Sequence, residues 1–311
     1  MPATHAVRAY APGSIGNLGP GLDVLGLAVE GRGDVVIAKL ADAPGVHILD
    51  PGHPELPSDP ARHASAVAAA AVLRGIGFAG GLVLRIEKGL PLAGGQGGSA
   101  ASAVAGAVAA NAITGNRLGT GQLLAAALEA ETAVAGRHLD NVAPSLLGGL
   151  VLIRSLDPID VVSIAVPDGL YVVLAHPGER LRTADGRAAL PESVPRAVAI
   201  HQAAQVGAIV AACAAGDLAL LGRAIDDRIA EPARAPLLRG FGAAKAAALA
   251  AGALGASISG SGPTAFALSD DPVGAARIAA AMVAAYEAAG VGCTTRVAQP
   301  DRRGAWVESL D

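Results

Sequence analysis

The sequence predicts an α+β protein of two domains, and three observations carry that reading. Strand-like and helix-like patterns mix in both halves, without the steady strand–helix alternation of a doubly wound sheet. The 311 residues suffice for one large domain or two medium ones. The composition, 52% hydrophobic against 16% charged, is that of a compact chain far from disorder. Aromatic residues make up only 2%, so Ala, Val, Leu and Ile must fill the core, and alanine-rich helices can approach one another closely. The boundary is expected near residues 154–160, dividing the chain into 1–155 and 156–311. No internal repeat is visible.

"HAVRAYAP", from His5 to Pro12, alternates as a strand does. A Gly/Pro-punctuated loop follows, "GSIGNLGPGLDVLGLAV", and then the short strands "GDVVIAKL" and "GVHILD". The proline-broken loop "PGHPELPSDPARH" leads into the helix pattern "HASAVAAAAVLRGIG". "GLVLRIEKGL" reads as a strand ending in a glycine turn, and "AASAVAGAVAANAI" (Ala100 to Ile113) as a strong helix former. A second long helix, "LGTGQLLAAALEAETAVAG", precedes the turn and strand of "RHLDNVAPSLLGGLVLI". In the second half "VVSIAVP" and "LYVVLAHP" are strands, and "GERLRTADGRAALP" is a polar loop. Helix patterns run through "SVPRAVAIHQAAQVGAIVAACAAG", "DLALLGRAI" and "RAPLLRGFGAAKAAALAAG". "ALGASISGSGPTAFALS" reads as strand, tight turn, strand. "DPVGAARIAAAMVAAYEAAG" is a helix from an Asp-Pro start, and "CTTRVAQP" the last expected strand.

Charge and cysteine content exclude several classes. A net charge of -4 without a Lys/Arg cluster argues against a nucleic-acid partner. Cys213 and Cys293 make neither a disulfide framework nor a metal-ligand spacing, which suits a reducing, cytoplasmic compartment. "MPATHAVRAY" lacks the basic and apolar regions of a signal peptide. Apolar stretches such as "AAAVLRGIGFAGGLVL" are broken by Arg74 and by glycines, so no membrane span of about 20 residues is expected.

Four polar, glycine-punctuated segments could carry chemistry. "PLAGGQGGSAASAV" (Pro91 to Val104) joins a strand to a helix start, where backbone amides and the positive helix end can cradle an anion. Gly94, Gly95, Gly97 and Gly98 permit the turn and a close phosphate approach. The same residues also read as a plain Gly-rich turn with a serine cap. No lysine follows the glycines, which excludes an ordinary P-loop at this site. "PGSIGNLGPGLDVLG" displays Asn17 and Asp23, residue types that also serve turns on their own. In "EAETAVAGRHLDN", Glu129 and Glu131 lie two apart on a helix and must point differently. One of them can supply the hard oxygen that a magnesium-bound phosphate needs. His138, Asp140 and Asn141 follow without a zinc spacing. "SISGSGPTAF" is a tight turn open to an architectural role.

Together these segments resemble the homoserine kinases of the GHMP superfamily. "YAPGSIGNLGPGLDVLGLAV" is similar to the family's substrate motif, "PLAGGQGGSAAS" to its nucleotide loop and "GRHLDNVAPSLLGG" to its most distinctive segment. "SISGSGPTAFAL" resembles its C-terminal glycine motif, with "RTADGRAALP" and "DRIAEPAR" extending the match along the chain. The resemblance implies two α+β domains around a central cleft, the second ferredoxin-like. It implies ATP-dependent phosphorylation of the L-homoserine side-chain hydroxyl, with Mg2+, by a cytoplasmic homodimer. Another small-molecule GHMP kinase, or a non-catalytic homologue binding nucleotide or amino acid, is the alternative.

By the resemblance, Pro91, Gly94, Gly95, Gln96, Gly97, Gly98, Ser99, Ala100 and Ala101 surround the nucleotide, and a side chain at Gly97 would block phosphate with little effect on the fold. Glu131 and Ser99 fall at the magnesium position. Asn17, Asp23, His138, Thr183, Arg187 and Arg234 fall at substrate positions: a carboxylate for the ammonium, arginine forks for the carboxylate. Asp140 belongs to the catalytic surroundings, with base catalysis left open. The chain departs from the usual signature at Gln96 and Gly98, where leucine and the first serine stand, and at Ala230 and Glu231.

Overall fold

The structure, a computed structural model, describes residues 6–310; the expectations resting on residues 1–5 lie outside the described residues. β1 (Ala6–Gly16) and β2 (Leu25–Ala41) form a long antiparallel pair with a bulge between Pro12 and Gly13. The stretch from Gly13 to Gly16, expected as loop, is therefore strand. It can be so because Gly33 faces the Ala11 carbonyl, where a Cβ would come within 2.2 Å. β3 (Gly45–Asp50) runs parallel to β4 (Gly81–Glu87), which pairs antiparallel with β2.

α1 (Ala64–Ile76), α2 (Gly98–Ile113) and α3 (Thr120–Val134) pack with this sheet into the first core. α2 is buried nearly all round, as a helix apolar on every side must be. A Cβ at its Gly106 would lie 2.2 Å from the Ser65 carbonyl oxygen, so α1 and α2 touch through their backbones. Close helix approach thus replaces the missing aromatic bulk.

The short α4 (Val142–Leu147) leads into the hairpin of β5 (Leu150–Leu156) and β6 (Ile159–Ile164), and β5 pairs with β2 in the first sheet. The expected division at 155/156 cuts this hairpin. Asp157 and Pro158 form the turn between these two paired strands. A further strand, β11 (Trp306–Leu310), pairs with β1, and Trp306 stacks on Tyr10 with ring centroids 5.4 Å apart. It had no place among the expected strands.

The second sheet is β7 (Tyr171–Pro177), β8 (Gly255–Ile258), β9 (Ala265–Ser269) and β10 (Cys293–Ala298), in the order β10-β7-β9-β8. With helices between β7 and β8, and α10 (Pro272–Ala288) between β9 and β10, this is the split βαββαβ ferredoxin-like arrangement. The expected α+β fold of two domains, the second ferredoxin-like, is what the chain adopts.

Between β7 and β8 lie α5 (Thr183–Ala188), α6 (Arg196–Ala215), α7 (Leu218–Arg223), α8 (Ala230–Arg234) and α9 (Phe241–Ala250). Among the described residues α6 alone is long and apolar enough to cross a membrane. Its Ile209, Ala212 and Cys213 pack into the second core with Leu170, Val172 and Leu268.

Candidate active site

The two domains enclose a cavity of about 640 Å³ whose lining joins all four glycine-punctuated segments. On one wall the Gly-rich loop enters α2. The N-cap of that helix is Gly97, at φ 69°, with no side chain bonded to the first-turn amides. The serine-capped turn is therefore not formed, and the amides of the first turn have no partner within the helix. The loop carbonyls are tied back. Thr264 Oγ1 donates to the Gly94 carbonyl (2.6 Å), Ser259 Oγ to that of Gly95 (2.6 Å) and the Ser14 amide to that of Gln96 (3.1 Å). Bracing these carbonyls leaves the amide edge of the loop for an anion. The C-terminal glycine motif thus acts as the loop's brace.

Three of the expected nucleotide residues turn away from the cavity. Ala100 and Ala101 are wholly buried in the first core, so only their backbone faces a ligand. Gln96 sends its Nε2 to Thr264 Oγ1 (3.2 Å), behind the loop. Leucine at this position could make no such bond.

At the start of α2, Ser99 Oγ donates to Glu131 Oε1 (2.9 Å), while Glu131 Oε2 is buried without a hydrogen-bond partner. Burial pushes the Glu131 carboxyl up to about 7. Ionising it costs stability, so the folded protein is expected to lose stability as pH rises from about 4.5 through about 7. Glu129 faces the opposite way, in an exposed pair with Arg74 (2.5 Å). Of the two glutamates, only Glu131 reaches the cavity. His138 Nδ1 lies 3.2 Å from Asp140 Oδ1 but out of line for a hydrogen bond. Burial opposes protonation of His138, yet Asp140 and Glu131 together hold its pKa above the usual value. Asp140 Oδ2 accepts from Asn141 Nδ2 (3.3 Å), and Ser14 Oγ donates to Asn141 Oδ1 (2.9 Å).

The same lining carries the remaining charges. Arg187 forks onto Asp23 through two bonds of 3.0 and 2.7 Å. Burial opposes ionisation of Asp23, but this fork keeps its carboxyl below the ordinary range. Arg234 is 1% exposed and donates to the carbonyls of Gly186 (3.0 Å) and Gly260 (2.9 Å). Burial and the nearby Arg187 lower its pKa. Asn17 accepts from the Asp23 amide (3.0 Å) and donates to Gly260 (3.1 Å), fixing a loop in which Asn17 and Asp23 both adopt positive φ. Thr183 opens α5 at the cavity's edge.

One element escaped the sequence reading. Lys88, at the end of β4, forms an ion pair with Asp34 and donates to the Gly98 carbonyl (3.1 Å) and Ser102 Oγ (2.9 Å). Asp34 is fully buried and also accepts from Ser102 Oγ (2.6 Å) and the amides of Gly89 and Leu90. The lysine stands before the glycines, whereas the P-loop pattern looks for it after them.

The geometry also corrects the expectation for Gly97→Val. A Cβ there would lie 2.3 Å from Ser14 Oγ, on a backbone at φ 69°. The variant is expected to lose about 2–4 kcal/mol of stability in urea unfolding, besides its nucleotide affinity. At Gly98 the nearest atoms stand at 3.4–3.7 Å, so Gly98→Ser should fold normally and bind ATP within about 3-fold of wild type by calorimetry.

A helix start with braced carbonyls, in one cavity with two arginines between an α+β and a ferredoxin-like domain, defines a small-molecule kinase of the GHMP type. The family descriptions "GHMP kinases N terminal domain" and "GHMP kinases C terminal" match residues 63–149 and 209–288, and the chain belongs to this family. The homoserine kinase of Chlorobium phaeobacteroides is 41% identical over 293 residues, covering 90% of this chain and 92% of that one. That of Arabidopsis thaliana is 42% identical, covering 92% of this chain and 80% of the relative. The crystal structure of the homoserine kinase from Cytophaga hutchinsonii superposes with a TM-score of 0.95 at 40% identity, covering 99% of both chains. The crystal structure of L. major mevalonate kinase has a TM-score of 0.69 at 18% identity, covering 94% of this chain and 96% of that one, and shares the architecture alone.

Proposed function

We propose that this protein transfers the γ-phosphoryl group of ATP to the side-chain hydroxyl of L-homoserine, giving O-phospho-L-homoserine on the route to threonine. One observation supports this above the others. A single cavity is lined by an anion-binding helix start and by two arginines with the Asp23 carboxylate. A zwitterionic amino acid needs both signs of charge there, whereas a sugar needs neither and a mevalonate-like acid only the cation.

In this reading the amides of Gly97 to Ser99 hold the phosphates. Asp23 takes the substrate ammonium, while Arg187 and Arg234 take its carboxylate. The Asp23–Arg187 pair is then exchanged for two substrate contacts. Asn17 and Thr183 shape the rim, and His138 adds a hydrogen bond. Asp140 Oδ1, buried without an aligned donor, accepts from the substrate hydroxyl and orients it. A divalent cation fits Glu131 Oε2 and Ser99 Oγ, because a buried, unpartnered carboxylate oxygen beside a phosphate cradle matches hard-cation chemistry. Bound there, Mg2+ would neutralise charge on the transferred group.

An assay coupled to ADP release, run with homoserine and a panel of other alcohols, tests the assignment; equal rates on alcohols without an amino-acid end would overturn it. Arg187→Lys keeps the charge and loses the fork. It should raise the homoserine KM about 10-fold with the ATP KM unchanged, and should erase most of the preference over a substrate without the carboxylate. The affinity for a Mg2+–nucleotide complex should rise with pH through about 7, as Glu131 gives up its proton to bind the cation. Calorimetry in buffers of different ionisation enthalpy would show that proton release.

A further inference from the structure

Next to the glycine loop lies a second cavity, of about 470 Å³, which shares Lys88, Pro91 and Leu92 with the first. It sits where the bend of β2 meets the edge strand β10, and Arg32, Arg296, His176 and Gln96 line it. Its charges do not balance. Arg180 is neutralised by Glu55 through bonds of 2.6 and 3.0 Å, and Lys88 by Asp34. Glu179, the one carboxylate in the lining among the described residues, is held by Arg239 at 3.1 Å. Arg32 has no hydrogen-bond or ion-pair partner among the described residues, and Arg296 donates only to the backbone carbonyl of Glu30. The Glu30 carboxylate accepts from the Gln299 amide (3.2 Å) and is not part of the lining. Arg32 and Arg296 therefore face one recess without an ion-pair partner among the described residues, and the Glu30 carboxylate acts on Arg296 only from a distance. Burial and then Arg32 lower the pKa of both Arg296 and His176, as repulsion between like charges requires.

A hydrogen-bond relay joins this recess to the loop. The single proton of Thr264 Oγ1 goes to the Gly94 carbonyl at 2.6 Å, so His176 Nδ1, 3.0 Å away, must be the donor to Thr264. Gln96 Nε2 donates to the same oxygen. His176 is thereby fixed with its proton on Nδ1, and its Nε2 makes no hydrogen bond among the described residues.

We propose that this recess is a second anion site, binding a phosphate group between Arg32 and Arg296, and that His176, Thr264 and Gly94 carry its occupancy to the nucleotide loop. Planar guanidinium forks suit phosphate oxygens, and the recess is too polar for an apolar ligand. Inorganic phosphate and a phosphate monoester share this chemistry. The charge imbalance holds whatever alcohol the enzyme phosphorylates; only the nucleotide loading in the test uses the reading above.

The test titrates inorganic phosphate by calorimetry into full-length enzyme saturated with Mg2+ and a non-hydrolysable ATP analogue. Failure of the analogue itself to bind would indict the nucleotide cradle, not this site. In the loaded enzyme one phosphate per chain should bind, at least 10-fold more weakly in Arg32→Ala and Arg296→Ala, with partial recovery in Arg32→Lys. Arg32 is exposed and has no partner among the described residues, so its variants are expected to fold. Phosphate should also shift the ATP KM in wild type at least 3-fold, and His176→Phe should abolish that shift while phosphate still binds. A parallel titration with glycerol 3-phosphate separates the sources: tighter binding than phosphate assigns the site to a monoester, weaker binding to the free ion. Displacement of phosphate by the ATP analogue, or unchanged affinity in Arg32→Ala, would overturn the proposal. A KM insensitive to phosphate would overturn the relay.

Discussion

Glu131→Gln is expected to lower kcat about 100-fold or more, the scale of lost electrostatic stabilisation at a transferring phosphoryl group. The substitution keeps the volume and the Oε1 that accepts from Ser99, and replaces the unpartnered Oε2 by a donor that repels a cation. Because burial already holds this carboxyl up to about 7, removing the charge should leave stability at pH 8 unchanged or raise it. Activity and stability then move in opposite directions, which a folding defect could not produce. Glu129→Gln breaks only an exposed pair with Arg74 and should change both by little. Paired kinetics and thermal melts decide the matter. Equal losses in the two variants would remove Glu131 from the reaction.

The second large effect concerns stability. Asp34→Ala leaves the Lys88 ammonium, the Ser102 hydroxyl and two amides without their shared acceptor, all close to the nucleotide loop. Breaking a buried pair on one side costs about 3–5 kcal/mol, so the urea midpoint should fall sharply. The double variant Asp34→Ala/Lys88→Met should recover part of that loss, because it no longer strands a charge. If Asp34→Ala unfolds with a wild-type midpoint, the pair is no anchor. If the double variant is no better than the single one, the stranded charge is not the cause.

What could be read from the sequence depended on how locally each feature is encoded. α2 and its Gly-rich start were legible because alanine propensity and a run of glycines lie within one window. Glu131 could be separated from Glu129 only through the resemblance, since two positions on one helix say which faces differ but not which is inside. The Asp34–Lys88 pair spans 54 positions in sequence and has no local signal. Gln96 looked like a loss in a nucleotide motif, yet it bonds Thr264, 168 residues away, so its role exists only once the two domains meet. The short helices α4 and α5 are too brief for periodicity to mark, and tertiary contacts hold them.

The pairing of β11 with β1, from Ala6↔Leu310 to Tyr10↔Trp306, has a consequence for how the protein is made. On the ribosome, the first sheet emerges early but must wait for its β1 edge to be covered until the whole second domain has been synthesised. During that interval β1 offers a row of free amides and carbonyls to any passing strand. The nascent chain is therefore most exposed to wrong partners while its nucleotide loop, too, still lacks the braces that Ser259 and Thr264 will bring. Competence to bind nucleotide should accordingly appear late and abruptly during translation.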